Sequence, residues 1–102
     1  MPDESHPVTF NLGPIVATPD ALEALKRNNM TGLELLARHI VGEWGNLCEE
    51  DKAANADALK TGARLMSSYT LPDESVIWII TDAEIDEAHH RYCTTLLLPD
   101  NY

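Results

Sequence analysis

The chain is predicted to adopt an α+β fold, with two to three N-terminal helices packed on a C-terminal three-stranded antiparallel β-meander. Three observations predict it. Apolar residues between Ala21 and Ile40 recur at helical spacing, and beyond Gly62 the pattern turns extended. The run Val76-Ile77-Trp78-Ile79-Ile80 is apolar on both alternating faces, which places the strand Ser75–Thr81 in the middle of a sheet rather than at an edge. With 102 residues and 44% hydrophobic content there is material for one core. Residues 1–102 therefore read as one domain, divided into an N-terminal arm (1–17), a helical part (18–62) and a meander (63–102) that carries an acidic loop at 82–91.

The arm holds two short apolar stretches, Val8-Thr9-Phe10 and Ile15-Val16-Ala17, and is expected to lie on the body of the protein. Thr18-Pro19-Asp20 starts the first helix with a capping hydroxyl, a proline at the first helical position and a carboxylate in the first turn. That helix runs to about Arg27 with Ala21, Leu22 and Leu25 inward, and Asn28-Asn29 stops it. Thr31-Gly32-Leu33-Glu34 fits the capping box, and a second helix follows to about Val41. Leu33, Leu36, Ala37 and Ile40 form its expected buried stripe, with His39 off the centre. The third helix begins on Glu49-Glu50-Asp51 and reaches Lys60, and its alanines at 53, 54, 56 and 58 suit close packing. Gly62 ends it. Strands then follow at Leu65–Leu71, Ser75–Thr81 and Cys93–Leu98, the first two joined by a hairpin turn at Leu71–Glu74. The excursion between the last two strands is long enough for a helical turn of its own.

The balance of 17 acidic against 7 basic side chains, a formal charge of −10, disfavours direct contact with phosphate backbones or anionic lipid. Met1–His6 lacks the basic and apolar regions of a secretory signal, and no apolar run is long enough to span a bilayer. A cytoplasmic protein is expected, with no membrane partner. Cys48 and Cys93 are too few and too far apart to read as a disulfide framework.

Three constellations carry candidate chemistry. His39, Trp44, Asp51 and Asn55 are candidate ligand-binding residues: an imidazole at a helix end can shuttle a proton and an indole in the next turn can wall a pocket. The same residues also suit a purely structural role. In the excursion, His89, His90 and Cys93 are candidate metal ligands, although neither HxxxH nor CxxC spacing is present. Cys48 stands where a helix dipole favours a thiolate, and with His39 nine residues upstream a Cys–His nucleophile is conceivable, but the acidic triplet that follows opposes it. No nucleophile elbow, P-loop, dinucleotide fingerprint or HExxH occurs, so no catalytic residue and no cofactor is assigned. The third constellation is the strand Ile77, Trp78 and Ile79. A helical layer covers one side of a sheet, so the other side needs a second copy of the chain or the N-terminal arm.

Gly13-Pro14-Ile15-Val16-Ala17-Thr18-Pro19, Arg38-His39 with Gly42-Glu43-Trp44-Gly45, Glu50-Asp51, Asn55, Ile77-Trp78-Ile79-Ile80-Thr81 and Thr94-Thr95-Leu96-Leu97-Leu98-Pro99 with Tyr102 together resemble a family of short, uncharacterised bacterial proteins. Its members are carried largely on plasmids and other mobile elements. The resemblance covers residues 13–102, implies no catalytic residues, and marks Ile85–His90 as an insertion. The expected function is that of a small acidic protein-interaction module from a mobile element. Carboxylates at 49–51, 73–74 and 82–87 would stand in for phosphates before a DNA-binding protein, or confer solubility alone. The alternatives are a small-molecule binder or enzyme with a pocket near His39 and Trp44, and a toxin–antitoxin component, whose expected basic residues this chain lacks.

Overall fold

A computed structural model describes residues 10–102, so the start of the predicted arm, including Val8 and Thr9, lies outside the described residues. The elements in order are β1 (Ile15–Ala17), α1 (Pro19–Arg27), α2 (Gly32–His39), α3 (Glu49–Thr61), β2 (Leu65–Thr70), β3 (Val76–Thr81), β4 (Thr94–Leu97) and a 3₁₀ turn at Pro99–Asn101. The α+β class holds. The sheet, however, has four strands in the order β1-β4-β3-β2, with β1 parallel to β4 and the rest antiparallel, in place of the expected three-stranded meander. Helical structure is also not confined to the N-terminal side, because the 3₁₀ turn follows β4. The physical reason for the extra strand is the row of backbone N–H and C=O groups that the edge of β4 would otherwise leave unpaired. Ile15, Val16 and Ala17 lie opposite Thr94, Thr95 and Leu96, and the ladder continues at both ends through Thr94 N–H to Pro14 C=O (2.9 Å) and Thr18 N–H to Leu96 C=O (2.9 Å). A parallel neighbour needs a long connection, and the three helices with the β2–β3 hairpin supply it.

The capping signals act as their chemistry dictates. Thr18 accepts from the Ala21 amide, the Thr31–Glu34 capping box is closed in both directions, and Gly62 ends α3 in the left-handed conformation. The buried faces differ from the expected stripes. Helix α1 buries Ala21, Ala24 and Leu25, and α2 buries Leu35, Leu36 and His39, whereas Leu33 is 74% exposed and Leu22 faces solvent. Both stripes fit an i, i+3, i+4 pattern; the packed one includes a histidine, which a purely apolar criterion discards. These faces close on Tyr69, Leu71, Ile77, Ile79 and Leu96 to make the core. Ile77 and Ile79, offered above as interface residues, are thus interior, because their strand turns them toward the helices. Trp78 points to the opposite face, where Tyr102 meets it edge-on at 5.8 Å and Arg64 donates to the Tyr102 hydroxyl (2.6 Å). Ile80 and Leu97 on that face are also buried, so the chain's own C-terminal residues supply part of the cover.

Helix α3 runs beside the outer edge of β2 and buries only Asn55 and Ala58; the remaining alanines do not pack. The Asn55 amide donates to Met66 C=O (2.8 Å) and accepts from Met66 N–H (3.2 Å). Two residues along the same edge, Ser68 N–H donates to Trp44 C=O (3.0 Å) and Ser68 C=O accepts from Asn46 N–H (2.7 Å). Gly45 between them has φ of +78°, and a Cβ there would collide with the Ser68 carbonyl, so only glycine lets this segment approach. The β2 edge is sealed by these groups.

Candidate functional site

A histidine on the buried face of α2 must have both ring nitrogens satisfied or remain expensive to bury. The sheet meets that demand with hydroxyls at inward positions of three strands. His39 Nδ1 lies 2.5 Å from Ser67 Oγ, and Nε2 lies 2.9 Å from Thr81 Oγ1. Thr81 Oγ1 lies 2.8 Å from Thr94 Oγ1, which donates to Leu12 C=O (2.7 Å). That last carbonyl orders the hydroxyls. Thr94 spends its only hydrogen on Leu12, so it accepts from Thr81, and Thr81 then accepts from His39 Nε2–H. Full burial keeps the imidazole neutral, so Nδ1 carries no proton and accepts from Ser67. Burial, reinforced by the charge of Arg91, holds its pKa down at about 4.

Aromatic rings close the site. Phe10 and Trp44 stand edge-on to His39 at 5.2 and 5.6 Å, and the two rings stack on each other at 6.3 Å. Arg91 follows at 3% exposure, with its guanidinium 5.7 Å over the Phe10 ring. It donates to Ala63 C=O (2.8 Å) and Asp82 C=O (2.9 Å) and reaches the Glu84 carboxylate at 3.5 Å. Its Nε has no hydrogen-bond partner among the described residues. Burial lowers the pKa of this guanidinium, and Glu84 opposes the shift. Arg91 pins the 82–92 excursion, which closes as a narrow loop rather than a helical turn: Glu84 and Arg91 form an antiparallel bridge, and Ile85 N–H donates to His90 C=O (2.8 Å).

The Ser67–His39 contact has the form of a nucleophile beside a base, but both side chains are 0% exposed. They tie α2 directly to β2 and β3 and, through Thr81, to β4. Cys48 is exposed, while both His39 nitrogens are committed to hydroxyls, so these two residues do not form a pair.

Of the four candidate ligand-binding residues, the structure joins His39 and Trp44 only. Asn55 is spent on the β2 edge, and Asp51 is exposed in the first turn of α3. An open groove of about 330 Å³ among the described residues lies between α1 and α2, lined by Leu22, Leu25, Lys26, Met30 and Thr31, and it does not include His39. His89, His90 and Cys93 are each engaged with a different carboxylate: His89 Nδ1 with Glu84 (3.1 Å), His90 Nδ1 with Asp86 (2.8 Å) and Cys93 Sγ with Asp82 (3.3 Å). Among the described residues no group of three or more His, Cys, Asp or Glu side chains converges as a metal site.

The acidic stretches are not equivalent. Asp73 accepts from Ser75 and Arg27, and these hydrogen bonds, Ser75 first, hold its pKa at about 2. Asp86 is likewise held below the ordinary carboxylate range, first by the His90 side chain. Four of the seven basic residues are already paired: Arg27 with Asp73, Arg38 with Glu43, Lys52 with Glu49 and Arg91 with Glu84. Reasoning from sequence missed Arg91, Ser67, Thr81, Thr94 and Phe10. A usable signal existed in the hydroxyl residues at inward strand positions, which a buried polar partner on a helix explains. No family model, curated protein or solved structure matches the chain. No helix among the described residues is long and apolar enough to cross a membrane.

Proposed function

We propose that the chain is a small acidic protein-interaction module acting in the cytoplasm, encoded on a mobile element as its sequence resemblance implies, and that its partner is a protein with a basic surface. The observation that supports this reading is the charge balance of the folded surface. Internal ion pairs occupy four of the seven cations, and most of the carboxylates among the described residues have no cation beside them. The polar centre at His39 is buried from solvent, which favours binding over catalysis. Direct contact with nucleic acid is disfavoured by the same charge.

The test is quantitative affinity isolation from a bacterial host. Wild type is compared with a variant in which Glu50, Asp51, Asp57 and Glu87 are replaced by their amides, since none of these makes an internal hydrogen bond or ion pair among the described residues. A basic protein retained by wild type, weakened by salt and lost from the variant is the expected result. Equal retention by both proteins, or no specific partner, overturns the proposal and leaves the acidic surface as a solubility device.

A further inference from the structure

The two edges of the sheet are treated differently. The outward amide and carbonyl groups of β2 are occupied at Met66 and Ser68, whereas β1 is the terminal strand on the other side among the described residues. Pro14 and Thr18 point their backbone groups at β4, so Val16, two residues from each, does the same. The N–H and C=O of Ile15 and Ala17 therefore point outward, giving two donors and two acceptors at strand spacing. Ile15 and Val16, on opposite faces of the strand, are each 48% exposed, and exposed Tyr92 follows the Arg91 carbonyl that packs on Gly13.

Charge identifies the occupant. No Lys or Arg occurs from residue 1 to residue 25 or from 92 to 102, which covers β1, most of α1, β4 and the 3₁₀ turn. Carboxylates sit on the segments tied to β1. Asp20 follows Ala17 by three residues and accepts from Asn101, the neighbour of Asp100; Thr18 donates to the same Asn101, while Asp86 and Glu87 lie in the loop whose His89 carbonyl accepts from Asn11. Resting on the reading of an acidic interaction module, we infer that β1 is a docking edge for an extended basic peptide segment of a partner protein. The segment adds as a fifth strand, with main-chain bonds at Ile15 and Ala17, alternate apolar side chains against Val16 on one face of the sheet, and its cations toward Asp20, Asp100 and Glu87. A second copy of this chain would set like charges against each other and fits less well.

The probe is a short peptide alternating Lys and Val, with an alternating Glu and Val peptide as control, followed by fluorescence anisotropy and residue-resolved amide exchange on the full chain. The expected result is binding of the lysine peptide alone, with slowed exchange at Ile15 and Ala17. In the free protein those two amides exchange faster than Val16. Ala17→Pro removes one outward N–H while sparing the β4 ladder and is expected to weaken binding about tenfold with thermal unfolding little changed. Ile15→Pro provides a second variant of the same kind should the first fail to fold. Binding that is salt-sensitive yet indifferent to both prolines and to exchange at Ile15 and Ala17 overturns the edge proposal while leaving the acidic-module reading intact. No binding of the lysine peptide also overturns it, and the affinity isolation then decides the module reading separately. Concentration-dependent dimerisation abolished by Ala17→Pro would show that a second copy takes this edge instead.

Discussion

Acidification acts on the fold through His39. In the unfolded chain the imidazole titrates near 6.5, and in the folded protein at about 4. The folded pKa is the lower one, so the unfolded state takes up the proton first and stability falls as pH falls. This contribution is complete above about pH 6.5, declines toward pH 4 and is absent below it. At about 1.4 kcal/mol per pH unit, the full loss is about 3 kcal/mol, a large fraction of the stability of a domain this size. The assay is urea unfolding at several pH values for wild type and His39→Gln, whose amide can donate to Thr81 and accept from Ser67 but cannot be protonated in this range. Carboxylates titrate alike in both proteins and cancel in the difference. The difference in unfolding free energy should shift by about 3 kcal/mol between pH 7 and 4, against the wild type. Parallel curves, or a His39 proton resonance titrating near pH 6.5, would refute the closed neutral site.

Replacing Asn55 by Ala removes both bonds to Met66 and should cost about 2 kcal/mol in denaturant unfolding, whereas Asp51→Asn should stay within about 0.5 kcal/mol. Gly45→Ala meets both a positive φ and the Ser68 carbonyl and should cost more than about 2 kcal/mol, while Gly42→Ala, where the nearest atom is Trp44 at 3.7 Å, should show only the smaller penalty of its φ in thermal unfolding. Ile77→Ala should lose about 3 kcal/mol as a core truncation, without a change in oligomeric state by light scattering, because the side chain faces the helices. Thr81→Val keeps the shape but breaks the hydroxyl chain beside His39 and should cost about 1–3 kcal/mol by urea titration.

Local signals were legible wherever a few adjacent residues decide the outcome. Thr18-Pro19, the Thr31–Glu34 box and Gly62 set helix ends within a residue or two of where the sequence places them. The β2–β3 hairpin and the central position of β3 follow from the pattern alone. Strand β1 was not legible because three residues have no periodicity, and their partners at 94–96 lie far along the chain. The candidate site divided along the same line. His39 with Trp44 was visible as a helix end followed by an aromatic turn. Their partners Ser67, Thr81 and Thr94 come from three strands whose register no local rule supplies. Arg91 was hidden by its company, since a cation in an acidic loop reads as solvated, and only the fold shows it inward.

The burial of both Arg91 and His39, on either side of the Phe10 ring, also bears on the proposal of a binding role at the surface. A neutral histidine near a buried guanidinium is stable only while water and protons are kept out, because a second positive charge there would repel the first. The rings of Phe10 and Trp44 and the saturated hydroxyl chain exclude both. A site opened to admit a substrate would hydrate the imidazole, move its titration toward neutrality and weaken the hold of α2 on the sheet. Catalysis at this position would therefore work against the fold. Strand β1 is under no such constraint: its outward groups can be paired or left to solvent without disturbing the hydroxyl chain, whose link to the N-terminal segment is the Leu12 carbonyl. Binding at the edge and rigidity at the centre can thus be altered separately, and Ala17→Pro and Thr81→Val are the substitutions that separate them.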